Sequence, residues 1–214
     1  MKYLFLGNFI CSITLFCVSN TAYCQDPYPA GCYMSLEELI KREPSQHYDA
    51  FTTKRTAGEI AMVGGNEYKL EPFEESVKPK ILKKKVWAYS DGRQLYLNGR
   101  HHGLQTWYCK VLDHGYYLVF TACMDNGSAA ALGFAGGAIA AAATSGITKV
   151  YVLNLEEKQV KQVDKHNLAN TLEDYPDLLE RYEEEKGRGS DDILLRYVMM
   201  LNQRKTAEMN AVSE

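Results

Sequence analysis

The strongest constraint on the fold is a two-residue alternation of apolar side chains that recurs, broken by glycine-bearing turns, over residues 48–163. Successive side chains of a strand point to opposite faces, so this period predicts short strands paired through tight connections. Val86, Trp87, Ala88 and Tyr89 stand opposite Leu95, Tyr96 and Leu97, with Ser90, Asp91, Gly92 and Arg93 between them. Asp-Gly is favoured in a two-residue type I′ turn, where both central residues take positive φ. That turn predicts the pairs Ser90 with Arg93, Ala88 with Leu95, Trp87 with Tyr96 and Val86 with Leu97, which gives one aliphatic and one aromatic face.

Other hairpins are expected on the same grounds. Residues 59–63 and 66–70 flank Gly64 and Gly65; residues 106–112 and 116–123 flank Asp113, His114 and Gly115; residues 149–155 and 159–163 flank Glu156, Glu157 and Lys158. The second of these places Cys109 nearer Leu118 than Cys123 and so argues against a bond between those cysteines. Ahead of the strands, Ser35 and Glu38 form an S-x-x-E capping box for a short helix carrying Leu36, Leu39 and Ile40 on one face, which Pro44 cannot continue. After residue 163 the period becomes helical. Asp174 and Pro176 open one helix with Leu178, Leu179 and Tyr182 as its stripe. Gly187 and Gly189 break it, and Ser190, Asp191 and Asp192 open a last helix with Ile193, Leu194, Tyr197, Val198 and Leu201 at spacings of three and four.

The predicted class is α+β: an antiparallel, strongly twisted sheet of hairpins with a short N-terminal helix, an Ala/Gly-rich insertion and two C-terminal helices. Its organisation reads as a signal segment over 1–24, a β-rich domain with its N-terminal helix over 25–163, and a helical segment over 164–214. Lys2, the apolar run that follows it and the small and polar residues Ser19, Asn20, Thr21 and Ala22 have the layout of a secretory signal peptide. The apolar run is shorter than the roughly 20 residues that span a bilayer. Cleavage is expected after Cys24, leaving Gln25 as the terminus; lipid modification of Cys24 is the alternative, disfavoured by the bulky Tyr23 before it.

The exported chain carries 23 basic and 27 acidic side chains, a net charge of −4, which offers no footprint for nucleic acid. Cys32, Cys109 and Cys123 remain, allow at most one disulfide, and read as buried free thiols; a pairing of Cys32 with Cys109 or Cys123 stays open. Residues 127–147 carry no charge and are mostly Ala and Gly, with Gly133 and Gly137 four apart. Three readings compete: small-residue packing against the domain, membrane association, and self-association.

No sequence pattern of a nucleophile elbow, a zincin helix or a phosphate loop is present, and no catalytic residue, metal site or cofactor is expected. His101 and His102, beside each other in a Gly-flanked turn, make poor co-ligands. The basic run Lys78, Lys80, Lys83, Lys84 and Lys85 has the charge to face anionic lipid or glycan, but as a strand it would divide its lysines between two faces. The acidic cluster Glu180, Glu183, Glu184 and Glu185 reads as a solvent face. Of 15 tyrosines and two tryptophans, Trp87, Tyr89, Tyr96, Trp107, Tyr108, Tyr116 and Tyr117 all fall on the expected sheet. Trp87, Tyr89 and Tyr96 are the candidate ligand-binding set, an aromatic face suited to sugar rings; the competing reading is cross-strand packing under covering helices.

The strings GCYMSLEELIKREP over residues 31–44, GGNEYKL over 64–70 and WAYSDGRQLYLN over 87–98 resemble an uncharacterised family of secreted proteins of Bacteroidota, a domain of unknown function, and the likeness extends over most of the exported chain. The resemblance implies an envelope or extracellular address (periplasm, outer membrane or outside) and carries no catalytic residues. The expectation is an exported, non-enzymatic interaction or structural domain of the cell envelope whose partner is an envelope protein or a glycan. The alternatives are a carbohydrate-binding module using the aromatic face and a peripheral membrane contact through residues 127–147. The intact mass of the natively exported protein is expected to begin at Gln25; a mass that includes lipid on Cys24 would overturn that processing.

Overall fold

The computed structural model describes residues 27–73, 77–123 and 148–213. The signal segment, the Cys24 alternative and the Ala/Gly-rich insertion 127–147 lie outside the described residues. The elements are β1 (Gly31–Tyr33), α1 (Leu36–Lys41), β2 (Ala50–Lys54), α2 (Ala57–Val63), β3 (Tyr68–Pro72), α3 (Pro79–Lys84), β4 (Ala88–Ser90) and β5 (Leu95–Asn98). A 3₁₀ helix (Gly99–His102), β6 (Tyr108–His114), β7 (Tyr117–Cys123), β8 (Thr148–Asn154), β9 (Gln159–Gln162), α4 (Lys165–Leu172), α5 (Pro176–Glu184) and α6 (Asp191–Ser213) follow. The class is α+β: among the described residues nine strands form one open antiparallel sheet in the order β1-β4-β5-β6-β7-β8-β9, and the β2–β3 hairpin joins it at β6.

That branch follows from the edges of β6. Tyr108 pairs with Asn98 of β5 and with Tyr68 of β3, so β3 must lie on the edge opposite β5. β7 occupies the same edge farther along, from Val111 to His114, past a bulge at Leu112. Asn66 sits where the two meet. Its Nδ2 donates to Gln105 O at 2.7 Å and Thr106 O at 3.3 Å, and its Oδ1 accepts from the N–H of Cys123 at the end of β7 at 2.9 Å. Its backbone N–H donates to Thr106 O and its carbonyl accepts from Arg55 Nη1, both at 2.8 Å.

The central strands are buried on both faces. Leu118, Phe120, Tyr151 and Leu153 pack with Tyr33, Leu39, Ala88 and Leu97 on one side. Val119, Val150 and Val152 pack on the other with Leu168, Leu172, Leu178, Tyr182, Leu194, Tyr197 and Leu201 of the three C-terminal helices. A third cluster joins Leu70, Leu82, Val86, Tyr89, Tyr96 and Tyr108 beneath the β2–β3 hairpin and α3. Helix α6 is also tied to the sheet by polar bonds: Asn202 Oδ1 accepts from Tyr117 N–H at 2.7 Å, and Thr206 Oγ1 accepts from Tyr116 N–H at 2.9 Å.

Several expectations are corrected. Residues 59–63 belong to α2, not a strand, because Thr56 and Glu59 make a reciprocal capping box, and Gly64 and Gly65 end the helix at φ 66° and 89°; β3 pairs instead with β2. The basic run lies on α3, opened by Pro79, not on a strand. Helix α4, capped by Asp164 and Asn167, adds a third helix after residue 163. The β4–β5 register is Ala88 with Leu97, Tyr89 with Tyr96 and Ser90 with Leu95. It differs by two residues because Asp91 Oδ1 accepts from the N–H groups of Arg93 and Gln94 at 2.8 and 2.7 Å, closing a four-residue connection. A two-residue shift keeps Ala88, Leu95 and Leu97 on the aliphatic side and Tyr89 and Tyr96 on the aromatic one. Val86 and Trp87 precede β4 and escape its alternation, so Val86 joins the aromatic cluster and Trp87 the aliphatic one. Leu118 pairs with His114, far from Cys109 along the strand, and Cys123 is close enough to Cys109 to help raise its pKa. All three cysteines are free and buried, as expected. The S-x-x-E box at α1 holds in altered form: Ser35 Oγ accepts from Glu38 N–H, and Glu38 Oε2 reaches one residue farther back, to Met34 N–H, at 2.7 Å.

The 3₁₀ helix turns both histidines onto Trp87: the His101 ring stacks on it at 4.5 Å and the His102 ring meets it edge-on at 5.6 Å. Burial lowers the pKa of His102 from 6.5 to about 4. Unfolded His102 therefore binds a proton below about pH 6.5 that the folded form refuses until about pH 4, so stability falls as pH drops through that window. The loss over that window is on the order of 3 kcal/mol, and a His102→Leu variant followed by thermal melts from pH 7 to 4.5 is expected to lose that part of the slope. Asn66→Ala, which orphans the buried Cys123 N–H, is expected to lower the urea unfolding free energy by roughly 2–3 kcal/mol with an unchanged m-value.

Candidate functional site

Tyr89, Tyr96 and Trp87 do not form one exposed face. Tyr89 and Tyr96 are stacked at 6.4 Å and both are 8% exposed. The Tyr89 hydroxyl donates to Ala50 O of β2 at 2.7 Å, and Tyr96 meets the Tyr68 ring of β3 at 5.2 Å, so the β2–β3 hairpin covers them. Trp87 lies on the opposite side of the sheet against His101.

A different aromatic residue gathers charge. Trp107 is partly exposed at the entrance to β6. Three cations lie over its ring: Lys83 Nζ at 4.2 Å from the centroid, Arg55 Cζ at 5.6 Å and Lys69 Nζ at 5.7 Å. They come from α3, from the residue after β2, and from β3. Their union depends on backbone conformation. Trp107 sits at φ 77°, a left-handed conformation that costs a bulky L-residue roughly 1–2 kcal/mol. It is held there because its carbonyl accepts from Gly99 N–H at 3.0 Å while Asn66 grips the preceding carbonyls of Gln105 and Thr106. Gly65 provides the floor: a Cβ there would lie 2.5 Å from Trp107 Cδ1, so only glycine lets the indole settle.

The electrostatics are unbalanced. Arg55 is 4% exposed; its Nη1 donates to Asn66 O at 2.8 Å and its Nη2 to Glu59 O at 3.1 Å, both neutral carbonyls. Its Nε is buried with no hydrogen-bond partner among the described residues. Burial lowers its pKa, and the charge of Glu59 opposes that shift. Glu59 is held down to about 2, first by its bond from Lys69 at 2.8 Å and then by the Thr56 N–H. Glu67 pairs with Lys54 at 3.7 Å. Arg55, Lys69, Lys83 and Glu59 therefore leave two positive charges in excess around one indole. Each cation lies within 5.7 Å of the ring centroid, so no two of the three are more than about 11 Å apart. At an effective dielectric near 20, each pair repels by at least roughly 1.5 kcal/mol. An anion drawn to the ring would relieve that repulsion.

The α3 helix extends the positive surface. Leu82 is buried, whereas Lys80 and Lys84, three residues before and one after Lys83, are exposed on its outward side. Helical spacing thus collects lysines that a strand would have split. Trp107 and Lys83 belong to groups visible in the sequence; Arg55 and Lys69 do not, since no local spacing links them to Trp107. The acidic residues Glu180, Glu183 and Glu184 are exposed on α5, as expected, and Glu185 bonds to Arg196. Among the described residues no group of three or more His, Cys, Asp or Glu side chains could hold a metal ion, and no helix is long and apolar enough to cross a membrane.

No curated protein and no solved structure matches the chain. Residues 31–205 match a family of unknown function (DUF6563), a span that runs from β1 into the last turns of α6 and takes in Arg55, Lys69, Lys83 and Trp107. The chain belongs to that family.

Proposed function

We propose that this protein is an exported, non-enzymatic interaction domain of the cell envelope and that its contact surface is the Trp107 cluster. The carrying observation is the cluster itself: an indole on strained backbone, ringed by Arg55, Lys69 and Lys83 with an excess of positive charge. Unpaired buried charge and left-handed backbone both cost stability, and such costs concentrate where a surface is built to meet something. The signal-like N-terminus supports the address. A lining of cations gathered on one aromatic ring is the chemistry of recognition. The partner contacts Lys69, Lys83 and the exposed part of the indole, while Arg55 supplies a fixed charge from behind.

Cosedimentation of the purified exported form with isolated cell envelopes tests this reading. Retention is expected to fall at least about fivefold in Lys69→Gln/Lys83→Gln, a loss of roughly 1 kcal/mol or more, with an unchanged circular dichroism spectrum. Equal retention of wild type and double variant would remove the cluster from the contact.

A further inference from the structure

Resting on the Trp107 cluster as the contact surface, we infer that its ligand is an anionic glycan, a sugar chain bearing carboxylate or sulfate groups. Three features select this class together. Lys83 Nζ and Lys69 Nζ lie over the indole, 4.2 and 5.7 Å from its centroid, so a pyranose that packs its C–H groups on the part of the ring left exposed brings an acidic substituent within reach of both ammonium groups. The guanidinium of Arg55 is recessed at 4% exposure with Nε unpartnered among the described residues, so the charge behind the ring is fixed and does not need to be ordered on binding. Lys80 and Lys84 continue the positive surface along α3 beyond Lys83, which suits a ligand with charges repeated along a chain more than a single small anion.

A bilayer fits less well. Trp107 is only partly exposed and is seated against Gly65, so it cannot project to the depth that an interfacial tryptophan needs. The large apolar side chains that project most among the described residues, Met62, Val63, Phe73 and Val212, are spread over the end of α2, the residue after β3 and the end of α6. An acidic peptide would satisfy the lysines but has no ring of C–H groups to place on Trp107.

The test is a titration of the exported form, read by tryptophan fluorescence, with oligogalacturonate, chondroitin sulfate, fully methyl-esterified oligogalacturonate, poly-L-glutamate and phosphatidylglycerol vesicles. At least one acidic glycan is expected to bind saturably, with affinity falling tenfold or more between low and moderately high salt. The neutral ester and poly-L-glutamate are expected to bind at least tenfold more weakly. Lys83→Gln and Lys69→Gln, both partly exposed, are each expected to weaken acidic-glycan binding several-fold, and Trp107→Phe to abolish the fluorescence change. Equal binding of the methyl ester, or of poly-L-glutamate, would overturn the anionic-glycan assignment and leave the contact surface standing. So would binding of vesicles alone, which would point to a lipid headgroup. If no acidic glycan binds while envelope retention still depends on Lys69 and Lys83, the glycan assignment fails by itself; if that dependence is absent too, both readings fail.

Discussion

The side chain of Asn66 holds the junction on which the rest of this architecture depends. β6 offers one edge to two different strands, β7 and β3, and where an edge changes partner the ladder must leave donors and acceptors unmatched. The carboxamide fills that gap, donating to the loop before β6 and accepting from the last N–H of β7. Its own backbone binds Thr106 and Arg55. The fit is close enough that a Cβ on Gly99 would stand 2.4 Å from both Asn66 Nδ2 and Gln105 O. The hairpin, the β6 entrance and the end of β7 are therefore locked by one buried amide, and the Trp107 cluster is mounted on that lock.

Burial on two faces explains why the sheet carries its helices where it does. The strand YLVFTAC of β7 and the strand TKVYVLN of β8 have few polar interruptions, so neither face can be left to water. Helix α1 and the aromatic lead-in at Tyr28 and Tyr33 serve one face, while α4, α5 and α6 serve the other. The α6 helix adds direction to that packing: Asn202 and Thr206 bind the backbone at the β6–β7 turn, and Asn202 Nδ2 also meets Asp113 Oδ2 at 3.0 Å. Apolar burial supplies the driving force and these polar contacts set the register of helix on sheet.

Much of this fold is legible in residue order because its signals are local. Period-two apolar alternation identifies β5 to β9, and the caps at Ser35, Pro176 and Asp191 mark three helices. The failures are local as well. Residues 59–63 alternate plausibly enough to pass for a strand, yet Thr56 and Glu59 cap the segment as a helix, and once it is helical the Gly-Gly pair becomes an exit instead of a hairpin turn. The Asp91 carboxylate, by taking two N–H groups, lengthens a connection that Asp-Gly alone would have made shorter by two residues. In each case a side chain bonding to nearby backbone outweighed the pattern of hydrophobicity.

The candidate site was much less legible than the fold. Trp107 and the basic run are visible in the sequence, but Arg55, Lys69 and Lys83 are separated from Trp107 by dozens of residues and meet it only because β3 crosses to β6 and α3 packs against the hairpin. The same crossing buries Tyr89 and Tyr96, which composition alone presents as an open aromatic face. By itself the sequence determined the α+β class, the strand-forming segments, the C-terminal helices and the buried state of the thiols, because period, capping and apolar content act over a few residues. Tertiary structure alone decided which aromatic ring faces outward and which charges surround it, because those depend on which edge of β6 each distant segment occupies.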